Sequence, residues 1–337
     1  MVRPSAFLRI VGYALFSIPP LLLLIYLVTQ FPRPQESLHI YPSLASVPRS
    51  NRVWEIYDED YFPGGGYATL PYGRVRYWLM GPEEGEKVVL IPGLLLPAII
   101  WKNVAPELAS RGFRVLLYDL YGRGFSDAPS TTYDSVLYTT QLALLMQYLG
   151  WRSTNMVGVS MASGGAIASA FHADFPHLVD RKVALISPAG TLEAADLSRT
   201  SKFMSSSLGQ MLSSSFLGRM YLRSMAESNS TDPAELARLQ AAYLPGYNAA
   251  VGSSIRQGPV RGQQSSFQLL HQSNKSILMI YGAADNAIPS RSTSTVISLL
   301  PRAQVYVVEG GTHGLILEET LGHSVQVIKT LIEFLSS

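Results

Sequence analysis

Three residues of this chain have the types needed for nucleophilic catalysis: Ser160, Asp285 and His313. A serine hydroxyl is a poor nucleophile at neutral pH, so a neutral imidazole must take its proton during attack and later pass it to the leaving group. A carboxylate beside the imidazole fixes its tautomer and stabilises the imidazolium that forms. Ser160 lies in Asn155-Met-Val-Gly-Val-Ser-Met-Ala-Ser-Gly-Gly-Ala-Ile-Ala168, which opens as an apolar, strand-like run and becomes a small-residue helical segment reaching Phe175. A serine at such a corner, with Gly158 two before it and Ala162 two after, reads as a nucleophile elbow. Bulk at those two positions would collide with the turn; the usual pattern has glycine where Ala162 stands. Ser163 is the rival nucleophile, but Met161 at its minus-two position is too large for the corner.

Asp285 and His313 each follow a strand-like run. Ile277–Tyr281 leads into Gly282-Ala-Ala-Asp285-Asn-Ala-Ile-Pro289, and Gln304–Val308 into Glu309-Gly-Gly-Thr-His313-Gly314. Singly, an Asp after a strand is a turn or cap residue and a Gly-Thr-His-Gly is a loop. Three such residues at three strand ends fit a site, because ligands and catalytic groups in open α/β sheets collect at the carboxyl ends of strands. The developing oxyanion needs two backbone N–H donors. Met161, following the nucleophile, supplies one. The loop after Lys87–Ile91, Pro92-Gly93-Leu94-Leu95-Leu96-Pro97, supplies the other, with Leu94 first and Leu95 second; its Pro92-Gly93 replaces the usual His-Gly. His39, His172, His177, His271 and His323 receive no role.

The elements that must hold these residues alternate. Strands are expected at Val75–Met80, Lys87–Ile91 (with a hairpin across 82–86), Arg114–Tyr118, Met156–Val159, Lys182–Ile186, Ile277–Tyr281 and Gln304–Val308. Helices are expected at Trp101–Arg111, Asp134–Leu149, from Ser290, and at Glu318–Leu335. Strand–helix alternation implies an α/β fold with a mostly parallel sheet and helices on both faces. It stops near Gly190, and helical stretches at Lys202–Met225 and Asp232–Tyr243 suggest an inserted cap. The expected division is a membrane or signal-anchor segment over 1–31, a linker over 32–52, core over 53–190, helical cap over 191–274 and core again over 275–337.

The order Ser, Asp, His and the stretch Asp119-Leu-Tyr-Gly-Arg-Gly-Phe-Ser-Asp127 resemble the α/β-hydrolases, in particular the group of monoglyceride lipases, esterases and small-molecule C–C hydrolases. The resemblance runs from about Tyr72 to the C-terminus, the cap matching least. It implies an α/β-hydrolase fold, a scaffold role for Asp119, Arg123 and Ser126, and no metal or organic cofactor. A serine at the elbow argues against the carboxylate attack of epoxide hydrolases and haloalkane dehalogenases.

Ile10–Val28 is apolar and uncharged between Arg3 and Arg9 on one side and Arg33 on the other. About 19 helical residues at about 1.5 Å each approach the hydrocarbon thickness of a bilayer, although Pro19 and Pro20 would kink the helix. A retained single-pass anchor, in the endoplasmic reticulum or another endomembrane, is the expectation. A cleaved signal would instead make the protein secreted, and Ser43-Leu-Ala45 is a distant cleavage site. With 337 residues, 47% apolar, 15% charged and a net charge of +2, the chain shows no basic run that would fit nucleic acid. The lack of cysteine excludes disulfides, thiolate catalysis and cysteine-bound zinc.

The apolar loop at Leu94–Trp101 and the cap residues Phe203, Met204, Leu208, Met211, Leu212, Phe216, Met220 and Tyr221 have two readings. They bury the cap on the core, or they line an adaptable acyl pocket. The expected activity is that of a serine hydrolase cleaving a small-molecule, hydrophobic or lipid-like carboxylic ester through an acyl-enzyme. The alternatives are the same triad acting on a C–C, amide or thioester bond, and a catalytically silent binding scaffold.

Overall fold

A computed structural model describes residues 6–30, 37–159, 164–225, 233–318 and 322–337. The chain forms two compact units, residues 1–38 and 39–337. The first holds α1, Ala6–Gln30, a helix with Pro19 and Pro20 inside it. Side chains of 6–12, 14 and 27–30 lie outside the description. Among the described residues no helix is long and apolar enough to cross a membrane.

The second unit begins with β1 (Ile40–Tyr41) and α2 (Val53–Ile56), then β2 (Gly65–Leu70), β3 (Gly73–Met80), β4 (Lys87–Ile91), α3 (Val104–Ser110) and β5 (Arg114–Tyr118). Next come β6 (Ala128–Pro129), α4 (Ser135–Tyr148), β7 (Thr154–Val159), α5 (Gly165–Asp174) and β8 (Val179–Ile186). Helices α6 (Arg199–Ser205), α7 (Ser207–Ser214), α8 (Phe216–Met225), α9 (Pro233–Tyr243), α10 (Tyr247–Gln257) and α11 (Gln264–Gln272) follow, and β9 (Ser276–Gly282), α12 (Ser290–Leu299), β10 (Gln304–Val308) and α13 (His323–Ser336) close the chain.

Eight strands form one sheet in the order β10-β9-β8-β7-β4-β5-β3-β2. All neighbours from β10 to β5 are parallel, while β3 and β2 run antiparallel at the edge. Side chains alternate along each strand. Val88 and Leu90 join Val115, Leu117 and Val157 in one core layer; Val89 and Ile91 join Leu116, Tyr118 and Met156 in the other. Both faces are therefore covered, as a parallel sheet requires.

Four expectations need correction. The segment between β3 and β4 is no hairpin: β5 lies between them, antiparallel to β3 and parallel to β4. The body starts before residue 53, because β1 pairs with β6 and Leu44 is fully buried in the core. The expected cap boundary at 274 falls too late. Helix α11 packs on α5, and its Phe267 and Leu270 belong to a core layer shared with the sheet. Finally, the helix expected over Lys202–Met225 is three helices. Ser206 accepts the Gly209 N–H at 3.0 Å and Ser215 the Gly218 N–H at 3.0 Å, so each serine hydroxyl starts a new helix by satisfying a first-turn donor.

Candidate active site

Gly282 ends β9 and Val308 ends β10, and the loops beyond them meet backbone to backbone. The Ala284 N–H donates to the Gly311 carbonyl at 2.9 Å. A Cβ on Gly282 would lie 2.1 Å from that same carbonyl oxygen, so only glycine permits the approach. The meeting brings His313 Nδ1 to 2.9 Å from Asp285 Oδ2. The other Asp285 oxygen accepts the N–H groups of Ala287 at 2.9 Å and Ile288 at 3.2 Å. Burial pushes the Asp285 carboxyl upward, but the His313 bond and these two N–H groups outweigh it and hold the group below the usual carboxylate range. An ionised carboxylate on Nδ1 leaves Nε2 to exchange protons with a reacting group.

The elements on which Ser160 depends come close together. Ser160, Met161, Ala162 and Ser163 lie outside the described residues, but the corner's two sides are described. A Cβ on Gly158 would sit 2.2 Å from the Gly164 carbonyl oxygen. One on Gly164 would sit 2.3 Å from Val159 O and 2.7 Å from Ile91 O. Strand and helix thus approach to backbone contact. The closeness extends to Gly164, which stands in the small-residue run that follows the corner.

A second support is one that the sequence reading passed over. Thr312, next to His313, donates its hydroxyl to Glu318 Oε1, and Glu318 Oε2 meets Nδ1 of the buried His323 at the start of α13. Burial raises the Glu318 carboxyl, while the Thr312 and His323 bonds bring it below its ordinary value. His323 has no assigned role in the sequence reading; here it anchors the loop that carries His313. A Glu five residues after a loop His was the available signal.

His313 borders a cavity of about 700 Å³, within the range of small-molecule sites. The core contributes Leu94, Leu95, Leu96, Val159 and Ile316; the insertion contributes Leu192, Leu197, Ala237, Ile255 and Val260. The residues expected to line a pocket or bury the cap do neither for the most part. Phe203, Leu208, Met211, Leu212, Met220 and Tyr221 are exposed, because the short helices α6–α8 turn that apolar stripe outward. The side chain of Phe216 lies outside the described residues. Among the described residues no three His, Cys, Asp or Glu side chains gather as metal ligands.

A family model described as alpha/beta hydrolase fold matches residues 87–320. The chain belongs to that family. A 2-hydroxy-6-oxo-2,4-heptadienoate hydrolase of Pseudomonas putida is 28% identical to this hydrolase over 260 residues, which is 74% of this chain and 90% of the relative. A non-heme chloroperoxidase of Streptomyces lividans is 38% identical over 104 residues, covering 31% of this chain and 37% of the relative. Among solved structures, the enol-lactonase from Burkholderia xenovorans superposes with a TM-score of 0.62 at 21% identity, over 81% of this hydrolase and 100% of that chain. A structure described as a membrane phospholipase A, a novel bacterial virulence factor, superposes with a TM-score of 0.59 at 20% identity, over 97% and 96% of the two chains. These structural likenesses concern the fold.

Proposed function

We propose that this hydrolase cleaves carboxylic esters of a hydrophobic, lipid-like acyl group through an acyl-enzyme on Ser160, and that its N-terminal apolar run holds it at a membrane. The observation that carries the reading is the His313–Asp285 pair opening on a large apolar cavity. Ser160 Oγ attacks the ester carbonyl carbon as its proton moves to His313 Nε2. The carbonyl oxygen becomes an oxyanion and takes hydrogen bonds from the N–H groups of Leu94 and Met161. Collapse breaks the bond to the alkoxy oxygen, and the departing alcohol receives the proton from His313. Water then attacks the acyl-serine with His313 again as base, releasing the acid and restoring Ser160. Asp285, ionised throughout, keeps the imidazole in the right tautomer.

The test is hydrolysis of p-nitrophenyl esters from acetate to palmitate, with fluorophosphonate labelling alongside. Turnover is expected to peak at long or medium acyl chains. Ser160→Ala should lower it by about 10⁴-fold or more and abolish labelling, with the melting temperature unchanged. Equal activity in that variant overturns the nucleophile assignment.

One observation favours a second reading. The Pseudomonas putida relative, matched over 90% of its length, is named for hydrolysis of a 2-hydroxy-6-oxo dienoate. On that reading the same serine attacks a ketone and a C–C bond breaks. Turnover of such a dienoate, with ester turnover weak at every chain length, would favour it. A folded protein that neither labels nor hydrolyses either class is a binding scaffold.

A further inference from the structure

We propose that Arg123, Gln240 and Tyr247 are positioning residues for the oxyanion loop, so that helices α9 and α10 of the insertion set the geometry of the oxyanion hole as well as covering the cavity. This rests on the serine-hydrolase reading above and goes beyond it.

Two successive carbonyls of the loop are pinned. Arg123 Nε donates to Leu94 O at 2.9 Å. Leu95 O accepts the Tyr247 hydroxyl at 3.0 Å and Gln240 Nε2 at 3.3 Å. Arg123 and Gln240 are fully buried and Tyr247 nearly so; the bond to the Leu94 carbonyl is buried, and the two bonds to the Leu95 carbonyl are partly buried. In a trans peptide the N–H lies antiparallel to the C=O of the same plane, and the described chain has no cis bond. Fixing the Leu94 carbonyl therefore aims the Leu95 N–H away from Arg123. The Leu94 N–H, the first-choice donor, belongs to the preceding peptide plane and is joined to this one at the Leu94 Cα, so the Arg123 bond restrains it only through φ and ψ of Leu94. Among the described residues no group accepts a hydrogen bond from the N–H of Leu94 or Leu95, and both residues border the cavity together with His313.

The pins are themselves held. Arg123 Nη1 donates to Tyr121 O at 2.8 Å and to the Tyr138 hydroxyl at 2.7 Å, and Nη2 to Ser254 Oγ on α10 at 3.1 Å. Every hydrogen-bond acceptor described for it is a neutral oxygen, and its guanidinium lies 5.7 Å from the ring centroids of Tyr133 and Tyr138. A buried cation satisfied only by neutral groups is costly to folding, and rules of this kind are broken mainly at functional sites. Gln240 is locked from its other end, where Oε1 accepts the Gly124 N–H at 2.7 Å. Farther along the loop Asp119 Oδ1 takes the Ala98 N–H at 2.8 Å. The turn at 119–127 and the insertion thus grip the loop jointly. Moving α9 and α10 away would free the Leu95 carbonyl, whose plane joins that of the Leu95 N–H at the Leu95 Cα, and so loosen the loop that carries the donors.

The experiment uses the full-length chain with Tyr247→Phe, which removes one hydroxyl and keeps the ring, and with Tyr247→Phe combined with Gln240→Met. Active sites are counted by the end point of fluorophosphonate labelling. Per labelled site, kcat on a p-nitrophenyl ester should fall about 10-fold in the single and about 100-fold in the double variant, less than or equal to the loss of a donor itself. KM should stay within about twofold, since the ground-state carbonyl depends little on the hole. Affinity for a trifluoromethyl ketone, which forms a tetrahedral oxyanion on serine, should fall by the same factors as kcat. A merely structural role would lower the melting temperature and the labelled fraction while leaving kcat per labelled site and ketone affinity unchanged. That result, or a loss confined to KM, overturns the proposal. Wild type that labels and turns over while both variants match it overturns the positioning role alone. Wild type that does neither overturns the hydrolase reading and the proposal with it.

Discussion

Both oxygens of Asp119 are occupied. Oδ1 accepts the Ala98 N–H at 2.8 Å and the Tyr57 hydroxyl at 2.9 Å, and Oδ2 accepts the Phe125 N–H at 2.8 Å. The residue is fully buried, and burial pushes its carboxyl up to about 6 although the Ala98, Phe125 and Tyr57 donors pull the other way. The folded state thus holds this proton more tightly than the unfolded chain does. The stability the proton contributes is greatest below the unfolded carboxylate range and is lost as pH rises through about 6. Asp119→Asn places an NH₂ against an N–H or O–H donor in either orientation, leaving a buried donor unpaired at a cost of about 2–3 kcal/mol. The variant also lacks the titration. Its deficit against wild type should therefore narrow by about 1 kcal/mol between pH 5 and pH 8, measured by urea unfolding at both. A deficit that widens with pH would show that Asp119 is held ionised in the fold.

At the scale of elements the sharpest constraint is the corner between β7 and α5. A methyl group on Gly164 would press on Val159 O and Ile91 O, and backbone atoms of two central strands cannot give way. Gly164→Ala should destabilise the body by about 3 kcal/mol, the upper part of the overpacking range, and slow fluorophosphonate labelling more than it lowers the folded fraction. Labelling at the wild-type rate would show that the corner tolerates bulk. Strands β4 and β5 have the bounds expected from their apolar runs, because a strand buried on both faces leaves a continuous local signature; β10 also has its expected bounds, although it lies at the sheet edge with Val305 and Val307 exposed. Strand order leaves none, which is why β5 separates β3 from β4 unannounced. The breaks at Ser206 and Ser215 were written as Ser-x-x-Gly twice, yet the apolar period ran on through them. Leu44 was hidden by its Pro/Ser-rich surroundings. Asp285 and His313 could be read because each follows its strand within a few residues. Gln240 and Tyr247 could not, lying 145 and 152 residues from the carbonyl they hold.

For the whole molecule, the division at Leu38 separates the proposed anchor from the catalytic body. The layered sheet, both core faces and the cavity-lining residues all belong to 39–337. The body should therefore fold and turn over soluble substrate without the first 38 residues. The proposed anchor would act through location: it would confine the enzyme to the layer where a long-chain ester dissolves, raising the effective concentration of the encounter without changing the chemistry. Full-length protein should stay with carbonate-washed membranes, and protein lacking residues 1–38 should stay in the supernatant. The two should share kcat on p-nitrophenyl butyrate within about twofold, while the truncated form should be slower by about 10-fold or more on a palmitoyl ester carried in vesicles. Equal rates on the vesicle ester would mean that the body reaches lipid by itself. The exposed stripe of Leu208, Met211, Leu217 and Met220 would then be the next surface to change. Release of the full-length protein by carbonate would overturn the anchor itself.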